Sequence, residues 1–338
     1  MTQRKLEFWH FGRPVLGEIE ALARHLEALG YDGLTLTDSQ NLSADTYVTL
    51  TLAARATSKL LLGPGVTNPL TRHAAVTAGA IASIQEISDG RAMLGIGRGD
   101  SSLFNIGRKP VPPAAFERYL TDVQAYLRGE SFDADGYESK LHWLARSNQA
   151  KVPVDVGATG PKIIAMAARL ADRIGFSLGA DVDRVAWGVE QVRETVGADG
   201  AMPSLGAYLN VCVNDDVKKA AEMVRPGVGI FAHFTSMPGA SRERVSKGDD
   251  AVYDKLGNYD KARHGRGDAT HAAALPLDFI QRFAVIGPAA ACIEKLAALR
   301  DLGLDRVFII GPRQDHFGEE AERAQERLAN EVIPAFRG

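Results

Sequence analysis

The sequence predicts a (β/α)8 TIM barrel with one insertion near its seventh strand, and three observations lead there. Short apolar runs alternate with longer helical patterns along the chain, the mark of repeated βα units and a parallel sheet. Eight such runs can be found, and eight parallel strands separated by helices close on themselves more readily than they lie open. The 338 residues exceed the usual length of one domain but suit a barrel, so 1–338 is expected to be a single domain. A doubly wound open sheet is the competing architecture.

The first strand is expected at 5–10. A helix follows over 15–29, where Ile19, Leu22, Ala23, Leu26 and Leu29 share one stripe. Gly30 ends it as a left-handed C-terminal residue. Strands at 33–37, 60–63 and 91–95 come next, separated by helices over 45–56 and 71–87, the latter with His73 at its start. A helix over 113–128 closes the first half. The second half repeats the rhythm, with strands at 152–156, 173–176, 204–213 and 306–310 and helices over 161–171, 182–196 and 289–302. Two stretches break it. Residues 130–150 read as an insertion with a hairpin, and residues 236–275, rich in glycine and charge, as a lid over the barrel mouth or a disordered segment.

Composition is that of an ordinary soluble protein, 45% hydrophobic and 24% charged. A net charge of -3 gives no case for nucleic acid or an anionic membrane. No leader-like start and no apolar run long enough to span a bilayer is found, so the cytoplasm is the expected compartment. Cys212 and Cys292 each lie in apolar sequence and read as buried small hydrophobes. No metal-ligand spacing and no serine-hydrolase elbow is present.

In such a barrel the loops after the strands build the active site. They read Thr37-Asp-Ser-Gln-Asn41, Gly63-Pro-Gly-Val-Thr-Asn-Pro69, Gly95-Ile-Gly-Arg-Gly-Asp-Ser101 and Gly157-Ala-Thr-Gly-Pro-Lys162. Glycine and small polar residues recur at one end of the sheet, so backbone there must approach something closely. Pro161 suits the first turn of a helix, leaving N–H groups around Thr159 and Gly160 for an anion. The bland alternative is an ordinary turn with Thr159 as N-cap. The loop at 95–99 with Arg98 is either a further anion contact or a flexible connection. Asp38 is either an acid–base or hydrogen-bonding group or a helix cap. Turn chemistry alone does not explain why Val66, Thr67 and Asn68 follow Gly65 so tightly.

Taken together, these loops resemble the luciferase-like monooxygenase superfamily, and most of all its methylenetetrahydromethanopterin reductase branch. The resemblance rests on Gly63-Pro-Gly-Val-Thr-Asn-Pro-Leu-Thr-Arg-His73, Ser88-Asp-Gly-Arg-Ala-Met-Leu-Gly-Ile-Gly-Arg-Gly-Asp100 and Val156-Gly-Ala-Thr-Gly-Pro-Lys162, with Val285-Ile-Gly-Pro288 and Leu302-Gly-Leu-Asp-Arg-Val307 in support. It implies a barrel inserted near strand 7 and a non-prolyl cis peptide at Gly65–Val66 behind the cofactor ring. It further implies ring contacts from Thr67 and Asn68, and Asp38 at the pyrimidine edge. Gly157, Ala158, Thr159, Gly160 and Pro161 would hold a phosphate, helped by backbone at Gly97 and Arg98.

The implied cofactor is coenzyme F420, with FMN as the alternative. The implied activity is hydride transfer to or from a small organic substrate. An FMN-dependent monooxygenase fed by a flavin reductase, and a non-catalytic flavin-binding protein, are the other readings. Ser39 and Gln40 stand where related alcohol dehydrogenases place a catalytic histidine. Glu7 matches a strand-1 carboxylate of the reductase branch and is a candidate proton donor or acceptor, its bland reading an outward-facing charge. His10 is a second candidate, since Trp9 or His10 is expected to line the pocket. Arg98, Arg108 and Lys109 could meet an acidic cofactor tail, or could be plain surface charge. A homodimer is the expected assembly.

Overall fold

The computed structural model describes residues 5–237, 239–257, 270–273 and 275–337. Among the described residues eleven strands are present: β1 (Glu7–Gly12), β2 (Gly33–Leu36), β3 (Leu61–Pro64), β4 (Leu94–Ile96), β5 (Phe132–Ala134), β6 (Tyr137–Ser139), β7 (Val154–Ala158), β8 (Arg173–Phe176), β9 (Ser204–Val213), β10 (Val285–Gly287) and β11 (Arg306–Ile310). Eight of them run parallel in the order β3-β2-β1-β11-β9-β8-β7-β4. Backbone bonds from Met93 N to Leu62 O (2.8 Å) and from Thr67 N to Gly95 O (2.9 Å) join β3 to β4 and close the ring. The eight expected strands are these eight, so the closed barrel holds and the open sheet does not. β5 and β6 form the hairpin expected within 130–150.

Helices pack outside, and their ends follow local chemistry. Asp45 caps Thr46–Ala56 by accepting from Tyr47 N and Val48 N, and Asp181 caps Val182–Val196 in the same way. Gly30 takes φ +82° after the first helix, as expected of its place.

Inward-facing positions alternate along each strand. On β1, Trp9 packs edge-on to Phe308 and Phe11 to Tyr208, so Glu7, Trp9 and Phe11 face the interior and His10 faces out. The large rings need empty positions opposite them. A Cβ on Gly33 would fall 2.3 Å from the Trp9 ring, and one on Gly175 2.8 Å from Tyr208. At the closed end of the barrel Arg306 and Asp155 form an ion pair at 2.7 Å, both almost wholly buried.

Three features depart from expectation. A 19-residue helix, Val217–Thr235, follows β9 although Pro226 lies inside it. β10 extends the sheet by pairing with the upper part of β9. The 236–275 stretch is not uniformly patternless: Asp250–Leu256 is a helix that buries Val252, Tyr253 and Leu256. Arg282 holds it through Asp249. Residues 258–269, Pro238 and Ala274, also part of the expected lid, lie outside the described residues.

Candidate active site

A cleft of about 1060 Å³ opens at the C-terminal end of the strands. Its shape starts from the β3 loop, where the Gly65–Val66 peptide is cis. The Val66 side chain lies against the loops of β4 and β7. Cβ atoms built on Gly97, Gly95 and Gly157 would stand 3.1, 3.4 and 3.5 Å from its methyl groups. Gly65 itself has no room for a side chain, since a Cβ would lie 2.8 Å from Thr35. The glycines noticed in the sequence are therefore places where one loop seats on another.

Behind this bulge lies a polar network. Asp38 is buried, and its carboxylate accepts from Gln40 Nε2 (2.8 Å), Thr67 Oγ1 (2.6 Å) and Arg72 Nη1 (2.7 Å). Arg72 also binds Asp45 at 2.6 Å and lies over the Tyr47 ring. Charge-assisted bonds of this kind are short and hold the carboxylate in one position. Asn68 Oδ1 accepts from Leu70 N and Thr71 N, while its buried Nδ2 has no partner among the described residues.

Across the cleft, Gly160 is the N-cap of the helix Pro161–Leu170 and offers no side chain to its first turn. Thr159 is therefore not the cap. A Cβ on Gly160 would fall 2.7 Å from the Gly239 carbonyl, so the 239–240 backbone passes directly over this helix start. Helix N-termini attract anions through their N–H groups and dipole. Phe11, Tyr208, Phe231 and Phe234 give the cleft an aromatic side. Asp100 lines the mouth, with its carboxylate 3.9 Å from His233 Nε2; His233 Nδ1 lies 3.0 Å from the Leu256 carbonyl.

Of the residues singled out in the sequence, Asp38, Gly65, Val66, Gly97, Arg98, Gly157, Thr159 and Gly160 line the cleft. Thr67, Asn68, Ala158 and Pro161 stand behind or beside that wall rather than on it. Arg98 turns its Nε to the Val111 carbonyl at 2.7 Å, and burial pushes its guanidinium below the usual value. Arg108 and Lys109 are exposed and away from the cleft wall.

Two candidate proton carriers lie elsewhere than at the cleft mouth. Glu7 faces inward but at the N-terminal end of β1, level with Arg306, where it accepts from Trp9 Nε1 at 3.0 Å; the Trp9 ring separates it from the mouth. His10 borders the cleft, but from the outer face of β1, because strand alternation sets it opposite to Trp9 and Phe11. Sequence reasoning missed Arg72, the aromatic side and the Asp100–His233 pair. The first lay inside a quoted motif, and Tyr208 could have been found from the alternation of its strand.

The sequence profile described as luciferase-like monooxygenase matches residues 4–306. The chain belongs to the luciferase-like monooxygenase family. Among curated members it is 30% identical over 317 residues to 5,10-methylenetetrahydromethanopterin reductase of Methanopyrus kandleri, covering 85% of this chain and 86% of that one. It is 29% identical over 325 residues to the enzyme of the same name from Methanolobus tindarius, covering 95% and 96%. The solved coenzyme F420-dependent tetrahydromethanopterin reductase of Methanopyrus kandleri has the same fold, with TM-score 0.77 at 23% identity over 98% of this chain and all of that one. The chain shares the barrel fold of that solved structure.

Proposed function

We propose that this luciferase-like protein is an F420-dependent oxidoreductase that transfers a hydride between the deazaflavin C5 and a small organic substrate. The observation that carries the reading is a cleft at the strand ends with the buried, three-donor Asp38 carboxylate on one side and a helix start without a side-chain cap, at Gly160, on the other. The residues present fit such a group. Asn68 keeps a buried amide nitrogen with no partner among the described residues beside the bulge, and Gly97, Gly157, Thr159 and Gly160 line the cleft that leads to that helix start. The relatives named above, which are reductases, support the cofactor choice.

When bound, F420 supplies a hydride donor or acceptor at C5 of its ring. Asp38, held in place by three donors, would orient the polar ring edge. The N–H groups around Thr159 and Gly160 bind the phosphate. Phe11, Tyr208 and Phe231 keep water from the reacting face. Asp100, paired with His233, holds or takes the accompanying proton in place of Glu7 and His10.

Equilibrium titration with F420 and FMN in parallel tests the cofactor: tight FMN binding with F420 ignored refutes it. Asp100→Asn is expected to lower turnover about 100-fold, the scale of a lost general acid or base, while leaving F420 affinity within about threefold. Full turnover in that variant removes Asp100 from the mechanism.

A further inference from the structure

The cleft continues past the end of β1, over Gly12 and Arg13, to the outer face of that strand. There it runs between the helices Ile19–Ala28 and Glu319–Arg327. In most barrels the layer between strands and helices is filled at interior density. Here polar side chains border open space. Tyr31 is 5% exposed, and its hydroxyl has no hydrogen-bond partner among the described residues. Gln325 stands beside it and bears on the hydroxyl as a weak polar neighbour, but its own buried Nε2 makes no hydrogen bond among the described residues.

His10 meets the Tyr31 ring edge-on, centroids 6.0 Å apart. Protein surrounds the His10 imidazole and pushes it down to about 4, so it is neutral at physiological pH. The residue nonetheless keeps accessible surface, as a group lining an internal chamber does. Leu22 and Leu328 supply apolar walls. At the rim, Arg13 and Arg313 are both tied to Asp315. A buried hydroxyl left unpaired is unfavourable, so its partner is to be sought in whatever fills the space.

We propose that this side chamber is a second compartment of the cleft, built to take the uncharged, mainly apolar tail of a substrate that ends in a hydroxyl or carbonyl. The tail lies between Leu22 and Leu328, and its oxygen exchanges hydrogen bonds with Tyr31 Oη and Gln325 Nε2. Among the described residues no cation lines the inside of the chamber, so a carboxylate tail is rejected by desolvation. The inference rests on the mouth being the reaction site, and it restricts the substrate class to molecules that extend beyond that mouth.

The test uses the full chain with 15N-labelled histidine at pH 7, with 1-hexanol as probe and hexanoate as charged control. Assignment of the His10 ring signal comes from His10→Gln. Hexanol is expected to shift that signal saturably, and hexanoate to bind at least about tenfold more weakly. Tyr31→Phe and Gln325→Leu, each checked for an unchanged melting curve, should weaken hexanol about 2- to 10-fold, the value of one hydrogen bond.

An unmoved His10 signal, as from a chamber holding only water, overturns the proposal. So does equal binding of hexanoate, which needs no variant to measure. F420 titration of the same sample separates the two claims. Hexanol binding without F420 binding sinks the reading of the mouth alone, and F420 binding without hexanol binding sinks the chamber alone.

Discussion

Arg72 is the counter-charge to Asp38, and replacing it with methionine should be costly in a calculable way. Methionine keeps the length of the apolar stem but removes both ionic contacts, 2.7 Å to Asp38 and 2.6 Å to Asp45, and the guanidinium that lies over the Tyr47 ring. Asp38 is 3% exposed, so its charge would be stranded in protein. Breaking such a buried pair from one side typically costs about 3–5 kcal/mol. Gln40 and Thr67 still donate to the carboxylate, which places the loss at the lower end, about 3 kcal/mol. Asp45 is 47% exposed, and its half of the contact adds at most about 1 kcal/mol. Urea unfolding of wild type, Arg72→Met, Asp38→Asn and the double variant measures this. Removing the stranded charge should make the double variant about 1–3 kcal/mol more stable than the sum of the singles predicts. Additive singles, or an Arg72→Met within about 0.5 kcal/mol of wild type, would refute the account of Asp38 as a fixed, paired anion.

Other outcomes follow from the same geometry. Gly160→Ala sets a Cβ 2.7 Å from the Gly239 carbonyl, so the overlying backbone must shift; F420 affinity should fall about tenfold in a fluorescence titration, roughly 1.4 kcal/mol, and an unchanged affinity would place the phosphate elsewhere. Gly33→Ala drives a methyl into the Trp9 ring, and its urea midpoint should report a loss of at least about 1–3 kcal/mol, whereas a neutral result would mean the barrel interior is loosely packed. His10 sits at about 4 in the fold against an ordinary 6.5. As pH falls from 6.5 to 4 the unfolded chain takes up a proton that the folded chain does not. Wild type should therefore lose up to about 1.4 kcal/mol per pH unit relative to His10→Gln, and parallel stability curves for the two would contradict a buried neutral imidazole.

The barrel was legible because its signal is local. Each strand is a short apolar run and each helix a stripe, so 33–37 or 182–196 could be found without knowing its neighbours. What stayed hidden was hidden for local reasons too. Pro226 breaks the pattern of Val217–Thr235, yet the helix survives because its apolar face is buried, and tertiary packing outweighs propensity. Val285–Gly287 is too short to register as a strand until the upper part of β9 is present to pair with it. In Asp250–Leu256 three buried residues are diluted by charges that find partners only in the fold, as Asp249 does in Arg282.

The site divides along the same line. Glycines at 65, 97, 157 and 160 announce close backbone approach, and the loops that carry them do meet. Which side chains point into the space depends on parity, and parity of β1 was left open between Trp9 and His10. The Trp9–Phe308 contact decides it and sends His10 to the outer layer. The same alternation gives His10 its own surroundings, with Tyr31 and Gln325 converging from segments almost the full chain apart. Pairings at that separation have no signature in any window of sequence. They arise only when closure of the barrel brings the last helix against the first, so the part of the cleft built from both ends of the chain is the part a reading of loops alone must miss.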